Sequence, residues 1–269
     1  MNIIANGFEF TARGEIISNK NFSWYTSFNI ATNKNKVEKL QTPILKSGGQ
    51  GIIQEGYPLY SFYLHKQLGV DPKTGDVLFD DVNKDGKLSD ADLQILGNAW
   101  PSYFGGLTNT FTIFKNIEVS AFIYYSVGNK VWDNTRYRTG HGGSRNGVFA
   151  MLQEELTRWQ KPGDITEVPR LTASGNNASI IPSRFLEDGS FVRLKNISIG
   201  YNLPKQITSR LRLSAVRFYL AATNLITITK YKGVDPEVNT AASDQNILGY
   251  DQAIAPQPRT LQAGFNISF

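Results

Sequence analysis

Apolar and polar residues alternate strictly at the end of this chain. Leu261, Ala263, Phe265, Ile267 and Phe269 fall on one parity, and Thr260, Gln262, Gly264, Asn266 and Ser268 on the other. Neighbouring side chains of a strand point to opposite faces, so this segment predicts a strand with one apolar and one polar side. A strand of about ten residues with an apolar outer face, small polar inner residues and rings near its ends is what a transmembrane β-barrel requires. The same pattern recurs upstream. Phe8, Phe10, Ala12 and Ile16 oppose Glu9, Thr11, Arg13 and Glu15; after a turn at Ser18 to Asn21, Phe22, Trp24, Phe28 and Ile30 oppose Ser23, Tyr25, Ser27 and Asn29. Leu107, Phe111 and Ile113 then alternate with Thr108, Thr110 and Thr112, and a turn at Lys115-Asn116 leads into Ile117, Val119, Ala121, Ile123, Tyr125 and Val127.

A third pair spans Ser190 to Leu203 and Ala215 to Thr229, joined through Pro204, which favours a break. Its first strand is irregular. Val192 and Leu194 share one parity, Ile197, Ile199 and Tyr201 the other, so the apolar face switches near Asn196 and a bulge is expected there. The count reaches seven strands with the last segment, an all-β, antiparallel pattern. Single-chain bacterial barrels have even strand numbers, short periplasmic turns and long outer loops. With a periplasmic C-terminus the three short turns fall on the periplasmic side, and segments 32–105, 128–189 and 230–258 become extracellular loops. The first strand then starts outside, so the chain is expected to be the terminal portion of a larger barrel. Loops of this length carry function or structure of their own. In the second, Phe149, Leu152, Leu156 and Trp159 have helical spacing and predict a short helix.

Composition agrees where it is informative. No apolar run is long enough for a membrane-spanning helix, and the mean hydropathy of -0.28 is that of a water-soluble protein. Barrel strands show only half their residues to lipid, so an average hides them. Phe (16) and Tyr (12) far outnumber Met (2), a bias suited to rings at a membrane interface. Absence of Cys excludes disulfides and thiolate metal sites. The net charge of +5 is spread without basic runs, so no nucleic-acid partner is expected. Met1 opens no secretory signal, which again points to a missing N-terminal part.

One motif carries metal chemistry. Asp81-Val82-Asn83-Lys84-Asp85-Gly86-Lys87-Leu88-Ser89-Asp90-Ala91-Asp92 has the spacing of a calcium loop, with Asp81, Asn83, Asp85, the Lys87 carbonyl and Asp92 as oxygen ligands and Gly86 at the sharp turn. Position twelve is Asp in place of the usual Glu, and Val77-Leu78-Phe79 upstream reads as strand, so this is a lone loop and not a paired EF-hand; one calcium ion is expected there, the alternative being an Asx-rich turn that binds nothing. His65 and His141 have no partner at ligand spacing and are read as loop residues. Thr139 to Ser144 has glycines but no P-loop lysine. Trp100, Tyr103 and Phe104 fit an interface girdle better than a sugar platform. No catalytic constellation emerges, and no enzyme is expected.

Several stretches resemble the SusC/RagA group of TonB-linked outer membrane transporters: Gly56-Tyr57-Pro58-Leu59, Gly69-Val70-Asp71-Pro72, the Asp81 to Asp92 loop, Leu186 to Asn196, Gly200 to Pro204, Thr229 to Glu237, and Pro258 to Phe269. The resemblance implies the C-terminal part of a 22-stranded barrel with an N-terminal plug. It further implies a SusD-like lipoprotein lid, energy from TonB through the absent N-terminal part, and import of oligosaccharides or peptides at the outer membrane. It marks Phe265, Ile267 and Phe269 as an insertion signal for the outer-membrane assembly machinery. The rival reading from another class is a secreted, calcium-stabilised β-sandwich that binds carbohydrate or acts as an adhesin. A sandwich buries the apolar strand face, and a barrel shows it to lipid.

Overall fold

The computed structural model describes residues 1–42, 44–45, 50–145, 148–237, 239–240 and 248–269. Seven long strands form one antiparallel sheet in chain order: β1 (Asn2–Ser18), β2 (Phe22–Lys39), β3 (Tyr103–Ile113), β4 (Ile117–Val127), β5 (Phe191–Asn202), β6 (Ala215–Thr229) and β7 (Thr260–Ser268). Neighbours in sequence are neighbours in the sheet, the simplest up-and-down meander, and β1 and β7 are its edges. The hairpin of β1 and β2 is the longest. At about 3.4 Å per residue its strands reach roughly 60 Å, well beyond the nine to eleven residues that cross a bilayer. β2 therefore runs seven residues past the expected loop start at Thr32.

Local chemistry explains the turns. Between β1 and β2, Asn19 Oδ1 accepts the backbone N–H groups of Asn21 and Phe22, so one side chain satisfies two turn donors. The β3–β4 turn centres on Phe114 and Lys115 rather than on Lys115-Asn116. Both have positive φ (49° and 62°), the type I′ geometry whose twist matches a hairpin. Pro204 begins no tight turn; it precedes a short helix, α1 (Lys205–Arg210), between β5 and β6.

Register puts the apolar residues on one face throughout. Ile267 pairs with Val216, Phe265 with Phe218, Ala263 with Leu220 and Leu261 with Ala222; on the next pair, Ile199 meets Leu220 and Val119. This face is bare: Leu261 is 79% exposed and Phe265 65%. Among the described residues no second sheet covers it, which corrects the sandwich alternative. The expected irregularity in β5 is present. Phe122 pairs with Asn196 and Ile123 with Leu194, leaving Lys195 as the extra residue. The bulge lets Ile197, Ile199 and Tyr201 join Leu194 and Val192 on the apolar face. A second register shift, between Glu15 and Ile17, brings Ile17 opposite Trp24 and leaves Ile16 out of the alternation expected for it.

The buried core lies in the long connections. Phe62, Leu64, Ala99, Trp132, Tyr137 and Phe185 form one cluster, with Trp132 and Leu64 fully buried. Short strands frame it, notably Ser61–His65 against Leu93–Asn98, and Lys130–Asp133 between Leu186–Asp188 and Tyr250–Asp251. The helix expected over Phe149 to Trp159 is only a 3₁₀ turn, Gln153–Thr157; an α-helix forms instead at Asn134–Thr139, capped where Asp133 Oδ1 accepts the Arg136 N–H. Its side chains pack into the loop core, so the tertiary contacts and not the local spacing chose it. The aromatic trio divides. Trp100 packs at a tilt against Tyr60, Tyr103 lies on the apolar face beside Tyr125, and Phe104 takes the opposite parity.

Candidate functional site

Charged side chains knit the loop layer to the polar face of the sheet. Arg193 of β5, 2% exposed, donates to Asp235 at 2.5 Å and to Glu237 at 2.7 Å, and Lys195 donates to both Glu237 oxygens at 2.6 Å. Burial raises the Asp235 carboxyl, yet the Arg193 bond and the Glu237 and Gln257 N–H groups outweigh it and hold the group below the usual range. A buried pair with every lone pair answered fixes geometry more than it adds stability. Here it fixes Asp235 and Glu237, which follow β6, on the wall. The alternation of β5 put both cations on the polar side; their acidic partners lie some forty residues on and are silent in any local pattern.

A second network occupies the interior of the layer. Arg136 bonds Glu187 and, at 2.5 Å, Glu154; Arg184 donates to Glu155 at 3.2 Å and lies 4.0 Å from Glu154. Burial pushes the Glu155 carboxyl up and the Arg184 guanidinium down. Beside them a cavity of about 370 Å³ is lined by Asp133, Arg136, Leu152, Glu154, Lys232 and Asp251, among others. Asp133 and Asp251 sit opposite each other in a two-residue parallel ladder. Burial pushes the Asp133 carboxyl up to about 6, with the Asp251 charge adding to it, and Asp251 is raised by burial as well. Tyr231 donates to Asp251 Oδ2 at 2.7 Å. Sequence reasoning missed all of these residues. The one available signal was a set of acids placed inside otherwise apolar short strands, as in Val131-Trp132-Asp133 and Tyr250-Asp251.

The residues of the Asp81 to Asp92 loop come together only in part. Asp81 Oδ2 accepts the Gly86 N–H at 2.8 Å, Asn83 Oδ1 the Asp85 N–H at 3.0 Å, and Asp85 Oδ1 the Lys87 N–H at 2.8 Å. These bonds wrap the loop around its own acidic oxygens, and Asp81 Oδ1 is buried without a hydrogen-bond partner, as an oxygen reserved for a cation would be. Asp92 is differently employed. Its carboxylate accepts from Ser89 and Val82 N–H groups, caps the 3₁₀ turn Asp90–Asp92, and is held below its usual range chiefly by the Ser89 bond. Among the described residues no three acidic or imidazole groups gather closely enough to chelate a metal. Donor type and order fit calcium; closing the site requires Asp92 to give up cap bonds. His65 ends a short strand with its ring at Ser89 O (3.0 Å), and His141 is buried, its Nδ1 accepting from Gly143 and Arg145. Neither faces a ligand set. Phe265, Ile267 and Phe269 lie in line at the end of β7, 65%, 43% and 92% exposed.

A meander of one-sided strands, bare on its apolar face and carrying packed, charge-rich connections at one end only, is a section of a transmembrane β-barrel wall with its loop cap. No family model matches the chain. It is 32% identical over 293 residues to TonB-dependent receptor P3 of Formosa agariphila, covering 98% of this chain and 28% of that receptor. To TonB-dependent receptor SusC of Bacteroides thetaiotaomicron it is 27% identical over 98% of this chain and 26% of the receptor. The solved RagAB peptide transporter superposes with a TM-score of 0.85 at 27% identity, over 99% of this chain and 29% of that one. Over nearly its whole length the chain is similar to one section of TonB-dependent receptors, SusC among them, and to one section of the RagAB peptide transporter. It spans less than a third of the length of these relatives.

Proposed function

We propose that this chain forms seven strands and the loop cap of a TonB-dependent transporter that imports oligosaccharides or peptides across the outer membrane. The observation that carries the reading is the bare apolar face shared by seven registered strands, on a chain that resembles TonB-dependent receptors over 98% of its length. In the whole protein the edges of β1 and β7 pair with further strands, a plug fills the lumen, and TonB acts through an N-terminal part. The long connections are extracellular, where a SusD-like lipoprotein closes over them, and the C-terminus is periplasmic. The test is uptake of labelled nutrient by cells carrying the whole protein, with and without TonB. Uptake indifferent to TonB sinks the transport reading. A monodisperse, cooperatively folding monomer of this chain in detergent-free buffer would sink the barrel reading.

Two residue sets belong to the same proposal. Phe265, Ile267 and Phe269 serve as the outer-membrane insertion signal; deleting Phe269 from the whole protein lowers its surface-labelled amount, and unchanged assembly counts against the role. The Asp81 to Asp92 loop binds one structural calcium ion through Asp81, Asn83, Asp85, the Lys87 carbonyl and Asp92, with a dissociation constant of about 10⁻⁴ to 10⁻³ M. Calorimetry on the intact transporter shows calcium uptake that Asp85→Ala removes. If the variant takes up the same heat, the loop is only a turn.

A further inference from the structure

The apolar face of the wall is charged at one end only. Through all seven strands its parity is free of ionised side chains until Lys34 and Lys36, at the outer end of β2. Neighbours set the direction of these two. Asn35 Oδ1 accepts the Leu59 N–H at 2.8 Å and Val37 is fully buried, so the intervening parity faces the loop layer. Lys34 and Lys36 are exposed and point the other way, on the side of Phe28 and Ile30. Their partners on β1 are the neutral Asn6 and Ile4. Among the described residues neither lysine joins an ion pair. The nearest acid on the strand is Glu38, itself exposed; a register shift leaves it out of the ladder and sets a third cation, Lys39, opposite Asn2. Because β2 lies inside the sheet, pairing of its edges with further strands leaves this charge uncovered.

Depth gives the lysines their meaning. Phe22 to Thr32 supplies the roughly nine to eleven residues that cross a bilayer. Rings mark its outer boundary on the same face: Phe8, opposite Thr32, with Phe10 on β1, and Tyr103 beside Tyr125 on β3 and β4. Lys34 and Lys36 follow about 7 and 14 Å further along the strand, where hydrocarbon gives way to headgroups. We propose that Lys34 and Lys36 bind the phosphate of a lipid in the outer leaflet, whose acyl chains lie on Phe8, Phe10 and Ile30. The inference rests on the barrel reading above and goes beyond it, since a barrel needs rings at the interface but no particular headgroup. Two ammonium groups about 7 Å apart converge on one anion and bury their stems on the apolar strip beneath them. Charge alone would also suit an acidic protein segment; the unbroken apolar floor decides for a lipid, because only a lipid fills both levels. At the other end Ile113, Ile117, Tyr201 and Ile267 run to the ends of their strands with no charge on this face, so the device serves one leaflet.

Native mass spectrometry of the full-length transporter with its lipoprotein partner, released in a neutral detergent, tests the proposal. The probes are monophosphoryl lipid A and the same lipid with its phosphate removed. The wild type holds the phosphorylated form on the order of tenfold tighter. Lys34→Gln combined with Lys36→Gln brings that ratio to about one and leaves retention of the dephosphorylated lipid as it was. Lys20→Gln combined with Lys115→Gln, in the turns at the opposite end, leaves the ratio unchanged. All four side chains are exposed, so neither variant disturbs the packing of the wall. Equal retention of the two lipids by the wild type, an unchanged ratio in the Lys34 and Lys36 variant, or the same loss in the turn variant overturns the inference. So does a Lys34 and Lys36 variant that keeps its lipid and loses its lipoprotein partner, since the pair is then a protein contact. A full-length protein that stays dispersed without detergent removes the barrel reading too; equal retention by one that needs detergent removes the lipid site alone.

Discussion

Leu261 in the wall and Trp132 in the loop layer are both large apolar residues in strands, and they could hardly be treated more differently: one is 79% exposed and the other wholly buried. The wall is a single layer. Between its two edges the backbone groups are answered by ladder bonds, its polar side carries Thr, Ser and isolated pairs such as Arg217 with Glu118 at 2.8 Å, and its apolar side awaits lipid. The loop layer is built like a small soluble domain, with an aromatic core and buried ion pairs. The same chain thus solves two solvents. In the wall a residue's worth depends on the bilayer, and in the layer on its protein neighbours.

Truncation separates the two most sharply. Trp132→Ala empties the middle of the loop core and destabilises that layer by about 3–5 kcal/mol, whereas Leu261→Ala loses only lipid contact. Hydrogen exchange on the whole transporter in detergent should show faster exchange in segments 51–102 and 128–190 for Trp132→Ala, with β3 to β7 still protected. Equal loosening of wall and layer would erase the distinction. Charge insertion works in the opposite sense. Leu220→Arg, on the bare face, costs about 2–4 kcal/mol if it sits at mid-bilayer and less toward either interface. Its readout is a lower surface-labelled amount, with the loop layer folding normally in what is assembled.

The smallest effect is a pH dependence confined to the layer. Asp133 titrates higher in the folded protein, near 6, than in an unfolded chain, and Asp251 is shifted the same way. A raised carboxyl makes the folded state bind protons more readily, so the contribution of this pair is greatest at low pH and is lost as pH rises through about 6. Resistance of the loop layer to protease therefore increases from pH 7 to pH 5, and Asp133→Asn flattens the profile. A wall segment such as β6 shows no matching change.

The strands of the wall were legible because their signal is local. Period-two alternation in β7, the face switch near Asn196 and the turn at Asn19 are each contained within a dozen residues, and the structure realises them. Lengths were less legible, since the outer part of β1 and β2 lacks the one-sided pattern that a bilayer imposes. The helical spacing at Phe149 to Trp159 misled for the same local reason: four apolar residues mark a helix only if a core stands opposite, and the core took Asn134 to Thr139. Pairings such as Arg193 with Asp235, Arg136 with Glu187 and Asp133 with Asp251 join positions from 42 to 118 residues apart. By itself the sequence determined that this chain makes one-sided antiparallel strands with long connections on one end, because side-chain parity needs no partner. Only the tertiary structure decided where the buried charges meet and which carboxylates go unanswered, because desolvation and pairing depend on neighbours brought by the fold.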